Sequence, residues 1–270
     1  MKRKINLFGN TFTHNLVNGE ISSTNNKISK NIKFVQDGTG EVNLFVDKAV
    51  FEFNFVNNNL PSYAWLLESR SIHPDLIKYF KNKRINAKDN FQKVFTHNLD
   101  LIESHYKFEF VHPIGYWVDD KEIKQKNKLV SMVASSKKNT PMQKKRNRFA
   151  NKFSNKIDVY GTGRNFIEKK EDGLAEYYFS YVFENDLTND YFSEKILDCF
   201  AMKTVPIYYG TKNIKKFFNT KGIIDYRKHK FEDLTVQNYL SRLEYIDENY
   251  KLVKNYKIPE DTIYQKIFNL

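Results

Sequence analysis

One cysteine, Cys199, stands among 270 residues. No internal disulfide can form, and a disulfide-framed secreted fold is excluded. The lone thiol fits a reducing compartment, and its place beside Phe200 in an apolar stretch reads as a buried structural group. No apolar run approaches the ~18–20 residues that cross a bilayer as a helix. The opening MKRKINLFGN is basic, but its apolar segment is too short for the core of a signal peptide. His73, His97 and His112 share no metal-ligand spacing, which argues against zinc. No Asp-x-Asp turn follows a strand, since Asp119-Asp120 falls in a charged stretch. No internal repeat and no low-complexity tract interrupts the chain.

What remains is a chain with material for a large core. Hydrophobic residues make up 40% and aromatics 16%, enough for one large domain or two ordinary ones. The net charge of +12 calls for an anionic partner, whether nucleic acid, a membrane surface or a nucleotide diphosphate. Much of it lies in scattered lysines (KYFKNKR, KEIKQKNK, KKNTPMQKKRNR) that read as solvated surface. The Lys137/Lys138 and Lys144/Lys145 pairs then only raise the local potential. Frequent Asn, Lys, Ile, Phe and Tyr suit an AT-rich genome.

Short strands are expected at 5–8, 32–35, 42–46 and 50–56, with 42–56 read as a hairpin or an insertion. Residues 61–118 alternate strand and helix, as in a Rossmann-like half: strands at 63–67, 93–96 and 108–111, and a helix that Pro74 opens. Residues 119–128 are charged and read as a linker. A strand at 129–134, a basic helix at 142–153 and a strand at 157–160 follow. Beyond Gly210 a short helix (213–218), a strand (223–226) and helices near 236–246 and 260–268 complete the chain.

The most informative stretch is 177–210, YYFSYVFENDLTNDYFSEKILDCFAMKTVPIYYG. An aromatic strand at 178–183 leads into a polar loop carrying Glu184, Asn185, Asp186, Asn189 and Asp190. A helix with Ile196, Leu197, Phe200 and Ala201 on one face follows, then a strand at 205–209 closed by Gly210. Such a βαβ unit implies parallel strands, and ligands of open α/β sheets bind at their carboxyl ends.

Three linked pieces, Phe183-Glu184-Asn185, Tyr191-Phe192-Ser193-Glu194-Lys195 and Val205-Pro206-Ile207-Tyr208-Tyr209-Gly210, resemble the signature of glycosyltransferase family 10, the α1,3/α1,4-fucosyltransferases. The likeness is close over residues 129–226 and looser before them. It implies an α/β fold of the GT-B type, two Rossmann-like domains facing a cleft. Residues 1–125 would form the acceptor side and 126–270 the donor side, with the last helix returning to the first. It also implies an inverting, metal-independent transfer of L-fucose from GDP-fucose to a glycan hydroxyl, in glycan biosynthesis or protein glycosylation. Glu68 matches the proposed catalytic base, although its setting LLESR departs from the usual G-E-N-like form. Arg146, with Arg148 as competitor, matches the arginine that binds the donor pyrophosphate. Lys195 would share that task, while Asn185, Tyr191 and Glu194 would hold the rest of the donor. Golgi-resident members carry an N-terminal membrane anchor. None is seen here, which suggests either a cytoplasmic bacterial or viral enzyme or a trimmed chain, with peripheral membrane association left open.

The residues suit that chemistry. An acceptor hydroxyl must lose a proton, which a carboxylate can take. A departing diphosphate needs cations, and arginine offers a planar fork where lysine offers a point charge. Lys195 in the first helical turn opposes the helix dipole, a misfit that a bound anion would resolve. Glu184 has a structural reading, holding loop N–H groups, and Tyr191 could be a core ring. Two rivals stand: the same fold with another nucleotide-sugar donor, and a non-catalytic basic protein that binds nucleic acid.

Overall fold

The computed structural model describes residues 1–112, 115–188 and 190–268; Asn189 of the expected binding loop and Pro113 lie outside the described residues. The chain divides into two compact units, Met1–Gly115 with Lys257–Leu270, and Tyr116–Tyr256. The boundary expected after residue 125 lies further along the chain than this division. The reason is local: Tyr116 and Val118 are buried in the core of the second unit, and the Trp117 N–H donates to Asp198 Oδ1 at 2.6 Å.

The first unit begins with β1 (Arg3–Phe8), a small antiparallel hairpin of β2 (Leu16–Val17) and β3 (Glu20–Ile21), then β4 (Ile32–Val35) and β5 (Val42–Val46). It continues through β6 (Ser62–Leu66), α1 (Pro74–Lys81), β7 (Val94–Thr96), α2 (Leu99–Ile102) and β8 (Phe108–Phe110). The large sheet has the order β4-β1-β5-β6-β7-β8, and every pairing in it is parallel. Both faces are covered, as a parallel sheet requires. Ile5, Leu7, Leu44, Trp65 and Phe95 point into one core; Phe45, Ala64, Leu66 and Val94 point into the other.

Of residues 50–56, expected as a strand, 50–55 instead belong to a 3₁₀ segment, Asp47–Phe55, which the extended Val56 ends. The alternation V-F-E-F-N-F mimics the period of a strand. Asp47 adopts φ +50°, however, which turns the chain out of the sheet at the end of β5. Phe53 then packs on the rings of Phe45 and Phe91 at 5.7 and 5.2 Å.

The second unit runs β9 (Lys128–Val133), α3 (Pro141–Phe153), β10 (Asp158–Tyr160), β11 (Tyr177–Phe183), α4 (Glu194–Ala201), β12 (Val205–Tyr209), β13 (Ile224–Asp225), α5 (Val236–Leu240) and α6 (Leu243–Lys254). Its sheet has the order β10-β9-β11-β12-β13, again all parallel. The helix expected near 236–246 is two helices, α5 and α6, and the short one at 213–218 is a 3₁₀ turn, Lys212–Lys216. In α4, Ile196, Leu197 and Phe200 are fully buried; each such side chain removed from water contributes roughly 1.5–3 kcal/mol. Last in the chain, α7 (Pro259–Phe268) sends Ile263 and Ile267 into the core of the first unit.

Candidate donor site at the carboxyl ends of β9 and β11

In a sheet of order 2-1-3-4-5, the loops after the first and third strands diverge to opposite faces and leave a crevice between them. In the second unit that place lies between the ends of β9 and β11. Two helices aim charged side chains at it, α3 after β9 and α4 after β11.

Thr140 caps α3 in a reciprocal box: its hydroxyl accepts the Gln143 N–H at 3.1 Å, and Gln143 Oε1 accepts the Thr140 N–H at 3.3 Å. The box reaches across the crevice. Thr140 Oγ1 donates to the Asn185 carbonyl at 3.3 Å, and Gln143 Nε2 to Asn185 Oδ1 at 3.4 Å. One turn further, Arg146 is buried. Its Nη2 donates to Ser135 Oγ at 3.0 Å, while its Nε, also buried, has no acceptor among the described residues. Burial lowers its pKa, and the charges of Glu194, Glu184 and Tyr191 act to raise it. The competitor Arg148 points to solvent.

Glu184 follows β11 and is 1% exposed. It holds the loop that precedes α4, accepting Ser193 N at 3.0 Å and Ser193 Oγ at 2.5 Å. Lys195 Nζ donates to Ser193 Oγ at 2.9 Å and lies 3.2 Å from Glu194 Oε1 and 4.0 Å from Glu184 Oε2. Lys195 thus lies against both carboxylates, and the charges of the same two act on Arg146. Gly210 closes the far side. A methyl there would fall 2.1 Å from Tyr208 Oη and 2.8 Å from Glu184 Cγ, so only glycine fits.

Glu194 has a second cation. Lys170 Nζ lies 3.6 Å from Glu194 Oε1 and pairs with the fully buried Asp198, one helical turn along α4. Burial would raise the Glu194 pKa, but Lys195 and Lys170 override it and hold the carboxyl at about 2. The same carboxylates outweigh burial at Lys170 and raise its pKa. Tyr191 is buried, in keeping with a core ring, and its charge acts on Arg146.

The structure thus brings Arg146, Asn185, Tyr191, Glu194 and Lys195 together around one crevice. Glu68 stands on the first unit, in the turn after β6, half-buried. Among the described residues no group of three His, Cys, Asp or Glu side chains is placed to hold a metal ion, and no helix is long and apolar enough to cross a membrane.

Sequence reasoning missed several neighbours. Lys145, read as solvated surface, donates to Tyr209 Oη at 2.9 Å and lies 4.2 Å from the ring centroid. Arg227 covers the same ring at 4.6 Å and donates to the Gly210 carbonyl at 3.0 Å. Lys170 and Asp198 carried no motif. For Asp198 the one available signal was its spacing of four from Glu194, which places both on one helix face.

Residues 123–260 match the model described as glycosyltransferase family 10 (fucosyltransferase), C-terminal part. The chain belongs to glycosyltransferase family 10. It is 31% identical over 157 residues to the alpha-(1,3)-fucosyltransferase FucT of Helicobacter pylori, a match covering 56% of this chain and 32% of that protein. The chain thus matches about a third of the length of that curated relative. Crystal structures share the fold. An alpha1,3-fucosyltransferase with GDP-fucose superposes with a TM-score of 0.54 at 16% identity, over 96% of this chain and 92% of that one. TarM does so with 0.55 at 11% identity, over 84% and 54%. The fold is α/β of the GT-B type, built from two Rossmann-like parallel-sheet units.

Proposed function

We propose that the protein is an inverting fucosyltransferase that moves L-fucose from GDP-fucose to a hydroxyl of a glycan, giving an α-fucoside. One observation carries this reading: at the reversal point of the sheet the start of α3, the helix of Arg146, is hydrogen-bonded to Asn185, while Lys195 on α4 lies against Glu184 and Glu194, whose charges also act on Arg146. Family membership and the likeness to a fucosyltransferase solved with GDP-fucose support it.

In this reading the diphosphate enters beside Arg146, whose Nε–H, without an acceptor among the described residues, offers a fork with the rest of the guanidinium, and Lys195 adds a point charge. These cations neutralise the charge that grows on the departing GDP, so no metal ion is needed for that task. Glu194, held ionised by two ammonium groups, accepts hydrogen bonds from donor hydroxyls. Asn185 and Tyr191 complete the donor contacts. Glu68 takes the proton from the acceptor hydroxyl as its oxygen attacks the anomeric carbon from the face opposite GDP. A single in-line displacement inverts β to α.

The deciding measurement is thermal stability with GDP, GDP-fucose, GDP-mannose and UDP-sugars. A ligand that binds only the folded state raises the midpoint, by an amount equivalent to about 2.7 kcal/mol at a hundred times its Kd. GDP and GDP-fucose should raise it, with or without EDTA. A shift with UDP-sugars alone would reassign the donor, and a requirement for a divalent cation would sink the metal-free step.

A further inference from the structure

The turn that presents Glu68 is held from behind by a second carboxylate. Asp47 follows β5, the strand beside β6, and is 1% exposed. Its Oδ1 accepts the N–H groups of Leu67 at 2.9 Å and of Glu68 at 3.1 Å. Its Oδ2 accepts Thr11 Oγ1 at 3.1 Å. Thr11 lies in the loop after β1, so this one side chain ties together the carboxyl ends of β1, β5 and β6. The order β4-β1-β5 reverses at that place, where open α/β sheets take their ligands.

The backbone there is forced as well. Asp47 has φ +50°, a conformation that persists in a non-glycine residue only where its surroundings over-determine it. Gly9, at φ +107°, lets the loop after β1 approach so closely that a β-carbon would sit 2.8 Å from the Val46 carbonyl. Burial first, and then the charge of Glu68, push the Asp47 carboxyl up to about 7 against the three hydrogen bonds. Of the other charged groups nearby, Lys48 on the same 3₁₀ segment acts on His73 at the start of α1.

We propose that Asp47 is a positioning residue for Glu68: it clamps the Leu67–Glu68 turn from behind, keeps the two carboxyl groups close to each other, and so presents the Glu68 side chain at one fixed place. The proposal rests on the reading of Glu68 as the base. In the step itself, the acceptor O–H bond breaks, its electron pair forms the new C–O bond, and its proton passes to Glu68.

The test combines turnover with proton linkage. Turnover is read as GDP release from GDP-fucose, with water as acceptor, between pH 4 and 9. Asp47→Ala, which removes the acceptor of both N–H groups, should lower kcat by up to about 10²-fold while the KM for GDP-fucose holds, Asp47→Asn, which keeps an oxygen there, should recover most of it, and Glu68→Gln should lose turnover at every pH. The second readout needs no activity. A carboxyl raised in the folded state stabilises fully below its unfolded value of 3.8 and loses that contribution as pH rises through about 7. Urea unfolding across this range should show the component in the wild type, lack it in Asp47→Asn, and show it displaced to lower pH in Glu68→Gln. If Asp47→Asn does not fold, the Glu68→Gln displacement alone decides. An inactive Glu68→Gln with an undisplaced component overturns the pairing and leaves the fucosyltransferase reading intact. A Glu68→Gln enzyme as fast as the wild type overturns the base, and the proposal with it.

Discussion

Asp47, just past β5, and Glu194, at the start of the helix that follows β11, are both placed beyond a central strand of a parallel sheet, yet they are held in opposite states. Glu194 sits between Lys195 and Lys170 and its carboxyl is depressed to about 2. Asp47 is acted on by Glu68 and by burial, and its carboxyl is raised to about 7. The stability that Glu194 contributes is present above its unfolded value of 4.5 and lost as pH falls through about 2. That of Asp47 runs the other way. One sheet end is thus arranged to keep a carboxylate charged beside cations, which suits holding a polar anionic ligand. The other buries one acid behind another, so that the buried Asp47 takes up a proton and spares the turn at Glu68 a second charge. The same topology serves both, and the difference lies in whether lysine or a second acid faces the strand end.

The comparison breaks most sharply at Arg146. Replacing it with alanine should abolish the rise in melting temperature that GDP produces and lower turnover by about 10²–10³-fold, the usual cost of one fixed charge at a developing anion. Arg146→Lys should recover little, because a point charge cannot fork onto two phosphate oxygens. Titration of GDP against the folded variants checks this, and undiminished GDP binding by Arg146→Ala would remove the donor site from this crevice.

A second effect separates the two sheet ends by stability alone. Lys170→Met leaves Asp198 buried without its cation and takes one of two from Glu194. Breaking such a pair from one side costs about 3 kcal/mol, read as a lower urea midpoint with unchanged m value. The Glu194 pKa should rise toward 4.5, and with it the KM for the donor more than kcat changes. Lys170→Arg should restore most of both.

How far could these contrasts be read from the residues alone? The donor side was largely legible because its signals are local. The strand expected at 205–209 is β12 residue for residue, and the strand at 178–183 is β11 short of Tyr177. The loop and the first turn of α4 follow within a dozen residues of one another, so order in sequence stands in for order in space. Lys170 and Lys145 were not legible, because their partners lie 28 and 64 residues away and a lysine among lysines looks like solvated surface. Asp47 was hidden twice. The alternating run after it imitates a strand, and its hydrogen bonds go to residues 20 and 21 positions further on, a contact that only the adjacency of β5 and β6 creates.

The gentlest test asks whether the donor side is preorganised or merely assembled by its charges. Thr140 caps α3 and also donates to the Asn185 carbonyl, so it links the helix that carries Arg146 to the loop that begins with Glu184. Thr140→Ala removes the cap, at a cost of about 1 kcal/mol, and leaves every charge in place. If the charges alone organise the crevice, GDP affinity should follow that small loss of stability and no more. If the cap sets the direction of α3, the loss should appear mainly in kcat, since Arg146 would still attract a diphosphate but meet its growing charge less squarely. Thr140→Ser keeps the oxygen that accepts the Gln143 N–H and should behave as the wild type. A fall in kcat for alanine and not for serine would show that hydrogen bonds at the helix start, and not charge alone, prepare this end of the molecule.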